Sequence, residues 1–183
     1  TIDIKQTPAP AFLSTAPQCE GAAVTFSYTG TTGLGWSYTW DFGTGATPAT
    51  SSAQTPGNVM YTGPGTKTIS LTVMNDICSQ TITGTIAINP TPVANFSSTA
   101  PACTGDSVSF LNTGTSGVTY SWNFGSGATP AADTVSSPNN IVYTTAGTKT
   151  VQLITTLGTC TDTSTQTIDI KQTPAPAFTS NAT

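Results

Sequence analysis

The chain has 183 residues, of which only 7% are charged, and it contains neither histidine nor arginine. Its composition therefore excludes a Ser-His-Asp triad, a His-ligated zinc and a bidentate arginine clamp for phosphate. With a net charge of −4 and four scattered lysines it cannot neutralise a row of phosphates, so we expect no nucleic-acid partner. No apolar run approaches the roughly 20 residues of a membrane-spanning helix. Threonine is the commonest residue, and glycine and proline recur throughout, which favours an all-β fold.

Short segments with apolar residues at alternate positions predict strands that each bury one face. In chain order the first half contains Val24, Phe26 and Tyr28; then Trp36, Tyr38, Trp40 and Phe42; then Val59 to Tyr61; then Ile69, Leu71 and Val73; then Ile82, Ile86 and Ile88. The second half contains Val108 and Phe110; then Val118, Tyr120, Trp122 and Phe124; then Ile141 to Tyr143; then Val151 and Leu153; then Ile168 and Ile170. About seven short strands in such a length is the pattern of an immunoglobulin-like β-sandwich.

The two halves are copies of one another. Trp40 to Pro48 (WDFGTGATP) recurs as Trp122 to Pro130 (WNFGSGATP), and Ser14 to Cys19 recurs as Ser98 to Cys103. Two tandem immunoglobulin-like sandwiches, arranged end to end, are therefore the predicted fold.

A longer repeat relates the two ends of the chain, because Thr1 to Phe12 is identical to Thr167 to Phe178. Identity at the spacing of two units indicates that the pair is itself repeated, so we expect the chain to be a window in a longer array. We accordingly divide it into the last strand of a preceding repeat (1–6), repeat 1 (7–90), repeat 2 (91–172) and the start of a following repeat (173–183).

The aromatic motifs of both units resemble the PKD (polycystic-kidney-disease) repeat, an immunoglobulin-like sandwich of similar size. The resemblance is carried by Tyr38 to Gly45 (YTWDFGTG), by a tyrosine further on, and by Gly-Thr-Lys-Thr-x-x-Leu from Gly65 to Leu71 and from Gly147 to Leu153. It implies a core signature in each unit, namely Trp40, Phe42 and Tyr61, and Trp122, Phe124 and Tyr143.

The resemblance also implies a function, namely a structural repeat segment of a long extracellular stalk, adhesin or surface filament. Such a segment provides reach and rigidity without catalysis or a cofactor, and its partners are neighbouring repeats of the same polypeptide. The pattern Cys-x-Gly-x-x-Val-x-Phe, from Cys19 and from Cys103, looks like the variant found in surface and secreted proteins of the Bacteroidetes, including gliding adhesins and type IX secretion cargo.

Two other functions fit the same residues. An accessory PKD module of a secreted hydrolase would engage polysaccharide or protein and would need exposed aromatic side chains, for which Trp36 is the candidate. Trp40 and Trp122 share the phase of their aromatic neighbours, which favours the core over a carbohydrate platform. Self-association into filaments through open sheet edges would suit a chain with few repelling charges.

The four cysteines fall as one pair per unit and lack zinc-site spacing, which predicts disulfides in an extracellular repeat. Symmetry suggests Cys19–Cys78 and Cys103–Cys160. In an immunoglobulin-like sandwich, however, the turn before the second strand and the turn before the last strand lie at opposite ends of the module. We therefore favour Cys19–Cys160 across the joint, with Cys78 and Cys103 pairing to units outside this window.

Several other polar residues lead to narrower expectations. The second aspartate common in this family is replaced by Thr44 and Ser126, so we expect Asp41 and Asn123 to form local side-chain turns and not a calcium site. We expect Lys67 and Lys149 on the solvated face of their strands. Ser107 and Thr134 follow aspartate and precede valine, which resembles the O-glycosylation signal of Bacteroidetes and makes a glycan a candidate partner.

Overall fold

The computed structural model describes residues 6–177. The strand predicted within Thr1 to Lys5 and the segment Phe178 to Thr183 lie outside the described residues. The chain divides into two compact units, Thr1–Pro90 and Thr91–Thr183, and the described part of each consists of strands and turns without a helix. Among the residues described, no helix could therefore span a membrane.

The described part of unit 1 contains ten strands, where the sequence pattern predicted about seven. Several have only two residues, because glycine, proline and short polar turns interrupt the alternating segments. They are β1 (Phe12–Ser14), β2 (Gln18–Cys19), β3 (Ala23–Val24), β4 (Phe26–Tyr28), β5 (Ser37–Asp41), β6 (Ala46–Thr47), β7 (Thr50–Ser51), β8 (Val59–Tyr61), β9 (Gly65–Asn75) and β10 (Cys78–Asn89).

Unit 2 repeats this order strand for strand. Its strands are β11 (Phe96–Ser98), β12 (Ala102–Cys103), β13 (Ser107–Val108), β14 (Phe110–Asn112), β15 (Thr119–Asn123), β16 (Ala128–Thr129), β17 (Ala132–Asp133), β18 (Ile141–Tyr143), β19 (Gly147–Leu157) and β20 (Cys160–Lys171).

A five-stranded sheet forms one layer of each unit, in the order β2-β10-β9-β5-β7 and β12-β20-β19-β15-β17. The opposite layer contains the pair β1-β4 and the three strands β3-β8-β6, or β11-β14 and β13-β18-β16 in unit 2. The long antiparallel hairpins β9-β10 and β19-β20 contribute most of the larger sheet. Strand β2 pairs in parallel with β10 only at Ile88 and Asn89. The predicted pair of tandem immunoglobulin-like sandwiches is confirmed.

Each unit has its own hydrophobic core between the layers. Alternate residues of a strand point to opposite faces, so the inward positions of β4, β5, β8 and β9 meet in one cluster. The buried residues of unit 1 include Val24, Phe26, Trp40, Phe42, Val59, Tyr61, Ile69, Leu71 and Val73, and those of unit 2 include Val108, Phe110, Trp122, Phe124, Ile141, Tyr143, Val151 and Leu153. Removal of one large aromatic from such a core typically costs about 3–5 kcal/mol.

The expectation that Lys67 and Lys149 both lie on the solvated face of their strands is wrong for Lys149, which is 7% exposed. Residues two apart on a strand share a face, so Lys149 lies on the same inward face as Val151. Its Nζ donates a hydrogen bond to Thr145 Oγ1 at 2.8 Å and lies 6.0 Å from the centre of the Tyr143 ring. Lys67 is half-buried. Each lysine stem therefore covers apolar surface beside the core.

Candidate functional site

The signature aromatics are buried, and their polar atoms are satisfied by backbone carbonyls. In unit 1, Trp40 Nε1 donates to the carbonyl of Ala53 at 2.9 Å, and Tyr61 Oη donates to the carbonyl of Phe42 at 3.0 Å. Burial, with a smaller contribution from the charge of Asp41, raises the pKa of Tyr61 to about 12. The tyrosine thus joins strand β8 to the end of β5.

Unit 2 reproduces these contacts. Trp122 Nε1 donates to the carbonyl of Val135 at 2.9 Å, and Tyr143 Oη donates to the carbonyl of Phe124 at 2.8 Å. Burial raises the pKa of Tyr143 to about 12. A buried carbonyl left without this donor would cost free energy, so the tyrosine hydroxyl has a structural role in both units.

The indole rings pack against other aromatic rings of the core. Trp40 stacks on Phe42 with ring centroids 5.8 Å apart and an interplanar angle of 18°. Trp122 and Phe124 have the same stacked arrangement at 5.9 Å. Both tryptophans are buried, so neither presents a stacking platform to a sugar.

The predicted side-chain turns after β5 and β15 are confirmed. Asp41 Oδ1 accepts a hydrogen bond from the backbone N–H of Gly43 at 2.8 Å, and Asn123 Oδ1 accepts one from Gly125 at 2.9 Å. Aspartate and asparagine serve equally because only the oxygen acceptor is used. At Gly125 the backbone has φ +79°, and a Cβ would lie 2.5 Å from the carbonyl oxygen of Thr150. Glycine is therefore required both by the backbone conformation and by the close contact.

No metal-binding cluster of three or more His, Cys, Asp or Glu side chains occurs within residues 6–177. The two turn residues Asp41 and Asn123 instead accept hydrogen bonds from the backbone two residues further on.

The cysteines differ in their chemical state. Cys19 and Cys160 are disulfide-bonded, whereas Cys78 and Cys103 are free thiols of intermediate exposure. The symmetric pairs Cys19–Cys78 and Cys103–Cys160 are therefore not formed, so neither unit contains a disulfide between its own two cysteines.

A family model described as "PKD domain" matches the chain twice, over residues 5–88 and 89–172. The chain belongs to the PKD domain family. Tandem PKD domains are typically non-catalytic structural modules of extracellular proteins. No curated protein sequence matches the chain.

Solved structures with a similar arrangement of strands share little sequence with these PKD domains. Domains 3–5 of the extracellular region of Drosophila OTK align at 12% identity and a TM-score of 0.47, covering 91% of this chain and 62% of that one. The titin I-band fragment I67-I69 aligns at 11% identity and a TM-score of 0.44, covering 92% and 67%. The three N-terminal domains of the bacteriophage RB49 outer capsid protein Hoc align at 12% identity and a TM-score of 0.34, covering 90% and 59%. The chain thus spans about three fifths of the OTK and bacteriophage fragments.

Trp36, the candidate exposed aromatic, lies just before β5 in the first PKD domain. It is half-buried and packs against the core of that domain. A Cβ on Gly33 would lie 2.4 Å from its Nε1, so the indole also covers the preceding loop. This packing favours a structural role for the ring.

The two candidate glycosylation hydroxyls are exposed in the second PKD domain. Ser107 Oγ donates to Asn140 Oδ1 at 3.3 Å on the short strand β13. Thr134 follows β17, where its backbone N–H donates to Asp133 Oδ1 at 2.6 Å. In each case the acidic residue of the motif is the immediate neighbour of an accessible hydroxyl.

Proposed function

We propose that this tandem pair of PKD domains is a structural repeat segment of a long extracellular stalk or surface filament. Each domain has a closed core of its own, and the aromatic, tyrosine and turn contacts are the same in both. The polar groups in these contacts form hydrogen bonds within the domain, which suits a segment whose role is to provide reach and rigidity.

Proline stiffens the connection between the domains. Strand β10 ends at Asn89, and the sequence continues as Pro90-Thr91-Pro92. Because proline fixes φ and has no backbone N–H, this connection has fewer accessible conformations than a glycine-serine linker of equal length.

The observation that carries the proposal is the state of the cysteines. Cys19 lies where β2 pairs with the last residue of β10, and Cys160 begins β20 at the turn of the β19-β20 hairpin. We propose that Cys19 and Cys160 form a disulfide bond with each other across the joint between successive repeats, and we call this bond the strap. Cys103 and Cys78 are their respective counterparts in the other domain, and they would form the same strap to the following and preceding repeats.

Peptide mapping without reduction tests the pairing directly. The thiols are alkylated before digestion, and the expected result is one cross-linked peptide containing Cys19 and Cys160, with Cys78 and Cys103 alkylated. A peptide linking Cys19 to Cys78 would contradict the strap.

Small-angle X-ray scattering then tests its mechanical consequence. Two sandwiches end to end should give a maximum dimension on the order of 70–80 Å, based on strands of about ten residues plus turns. Cys160→Ser should broaden the distance distribution, whereas the matched variant Cys78→Ser removes a free thiol and should leave it unchanged. A compact particle, or equal effects of both variants, would contradict a stalk whose joint is held by the strap.

We also propose that Ser107 and Thr134 carry glycans in the native protein, since both hydroxyls are exposed beside aspartate. The intact mass of material from the native source should exceed the mass calculated from its sequence by whole hexose units. For the 183-residue chain the calculated mass is 18.6 kDa. Ser107→Ala and Thr134→Ala should each remove one such increment. An unmodified mass would refute this assignment.

A further inference from the structure

The outer edge of strand β10 is open over most of its length. Its inner edge pairs with β9 from Cys78 to Ile88, but on the outer side β2 reaches only Ile88 and Asn89. Within residues 6–177 no strand pairs with the outer edge between Cys78 and Ala87. Because β9 engages the backbone groups of alternate residues, every second residue of this ten-residue segment directs its N–H and C=O outward and is available to a further strand.

Devices that usually protect such an edge are missing from this segment. Its sequence, CSQTITGTIA, contains no charged residue and no proline, and its pairing with β9 continues from end to end without a bulge. Natural proteins generally discourage edge pairing with lysine, proline, a bulge or a covering loop.

The corresponding edge in the second domain is guarded by two side chains of β20. Asp162 Oδ2 accepts a hydrogen bond from the backbone N–H of Ala94 at 2.8 Å, and Gln166 Nε2 donates to the carbonyl of Phe96 at 2.8 Å. These bonds tie the edge strand to the opposite sheet. Asp162 also adds a negative charge to the edge.

Neither guard can form in the first domain. The counterpart of Gln166 is Gly84, which has no side chain, and the counterpart of Asp162 is the neutral Gln80. The counterpart of Ala94 is Pro10, which has no N–H to donate.

The absent side chain at Gly84 leaves an open apolar groove beside the edge. A Cβ at Gly84 would lie 2.9 Å from Cζ of Phe12, so the aromatic ring rests directly against the glycine. The groove has a volume of about 410 Å³ between β1 and the segment Ile82 to Ile86. Leu13 on its rim is 65% exposed.

We propose that the outer edge of β10 pairs antiparallel with the same edge of a second copy of this chain. A two-fold pairing centred on Thr83 places Thr81 opposite Thr85, and Ile82 of each copy opposite Gly84 of the other. The isoleucine would then lie in the groove beside Gly84, next to the Phe12 ring. The pairing brings together no like charges, and threonine pairs are favourable across neighbouring strands.

A second copy fits this edge better than a charged peptide does, because the edge offers no charge to recognise one. The contact is lateral, whereas the disulfide strap joins successive repeats, so the two proposals are independent.

Analytical ultracentrifugation of the whole chain over a wide concentration range tests the pairing. The free thiols are alkylated first, so that a disulfide cannot link copies. We expect a reversible dimer. Thr83→Lys, at an exposed position, would place two lysines opposite each other and should weaken the dimer roughly tenfold or more. The matched control Thr165→Lys changes the corresponding residue of β20 and should leave dimerisation unchanged.

Gly84→Gln is a second variant, which introduces the glutamine found in the other domain, moves the Phe12 ring aside to admit its Cβ, and should also weaken the dimer. Hydrogen exchange locates the surface, since the outward-facing amides among residues 79–87, which do not donate to β9, should become protected as concentration rises. A strict monomer, or dimers equally affected by Thr83→Lys and Thr165→Lys, would overturn the proposal. Full protection of these amides in the dilute monomer would also overturn it, because a segment of the same chain would then occupy the edge.

Discussion

Thr155 provides the sharpest test of how each PKD core is built. Its side chain is 0% exposed, and its Oγ1 has no hydrogen-bond partner among the residues that the structure describes. The counterpart in the first domain is Val73, also 0% exposed. Thr155→Val keeps the shape and the β-branch while removing the unsatisfied hydroxyl, so it should stabilise the second domain.

The expected gain follows from the cost of burying a hydroxyl without a partner, about 1–3 kcal/mol in protein mutational data. We expect an increase of about 1 kcal/mol or more in the free energy of unfolding. For a domain of this size, 1 kcal/mol corresponds to about 4–8 °C in Tm. The reciprocal variant Val73→Thr should destabilise the first domain by a similar amount.

Denaturant unfolding followed by circular dichroism measures both variants, and hydrogen exchange assigns the change to one domain. Thr148→Val is the control, because Thr148 lies on the exposed face of the same strand and should change stability by less than about 0.5 kcal/mol. An unchanged or lower stability for Thr155→Val would refute the reasoning, since the hydroxyl would then have a partner such as a bound water.

Three further predictions concern Tyr143, Asp41 and Gly125, which lie in or next to the turns that follow β5 and β15. Tyr143→Phe should cost about 1–3 kcal/mol by leaving the Phe124 carbonyl without its donor, as measured by thermal unfolding. The pKa of Tyr143 is about 12 in the folded chain, whereas its ordinary value is 10.0. The contribution of Tyr143 to the free energy of unfolding is therefore fully present below pH 10 and is lost as the pH rises towards 12. Tyr143→Phe should lack this part of the loss of stability at alkaline pH. Asp41→Asn should be nearly neutral in the same assay, whereas Asp41→Ala should lose about 1 kcal/mol with the turn bond. Gly125→Ala should destabilise its domain severely, while Gly105→Ala, at φ +90° with nothing within 4 Å, should cost only about 1 kcal/mol; equal losses would contradict the steric argument.

The strands and the fold could be predicted from the sequence because the buried face repeats every second residue. The alternation from Val59 to Tyr61 predicts a strand that forms β8 with those bounds, and Trp36 to Phe42 contains β5. The long hairpin is extended beyond its apolar positions, since Thr66 and Thr81 join the ladder through backbone pairing that no apolar pattern marks.

The environment of the lysines could not be predicted in the same way. Charge suggests solvent, but the period of the strand places Lys149 inward, and a long aliphatic stem lets its ammonium reach Thr145. The guard formed by Asp162 and Gln166 also depends on contacts between sheets far apart in sequence. The repeats do differ visibly at these positions, but only the fold shows that the difference lies on an open edge.

The low charge of the chain has a further structural meaning, because the few charged side chains act mainly as hydrogen-bonding groups. Glu20 Oε1 accepts from the backbone N–H of Gly63 at 2.6 Å, Asp41 closes a turn, and Lys171 pairs with Asp169. These side chains shape turns and edges, and with a net charge of only −4 and screening by salt they contribute little long-range repulsion between molecules. Association is then controlled locally, by which backbone edges are covered. Under this reasoning the difference between Gly84 in the first domain and Gln166 at the corresponding position of the second matters more than the net charge of either domain.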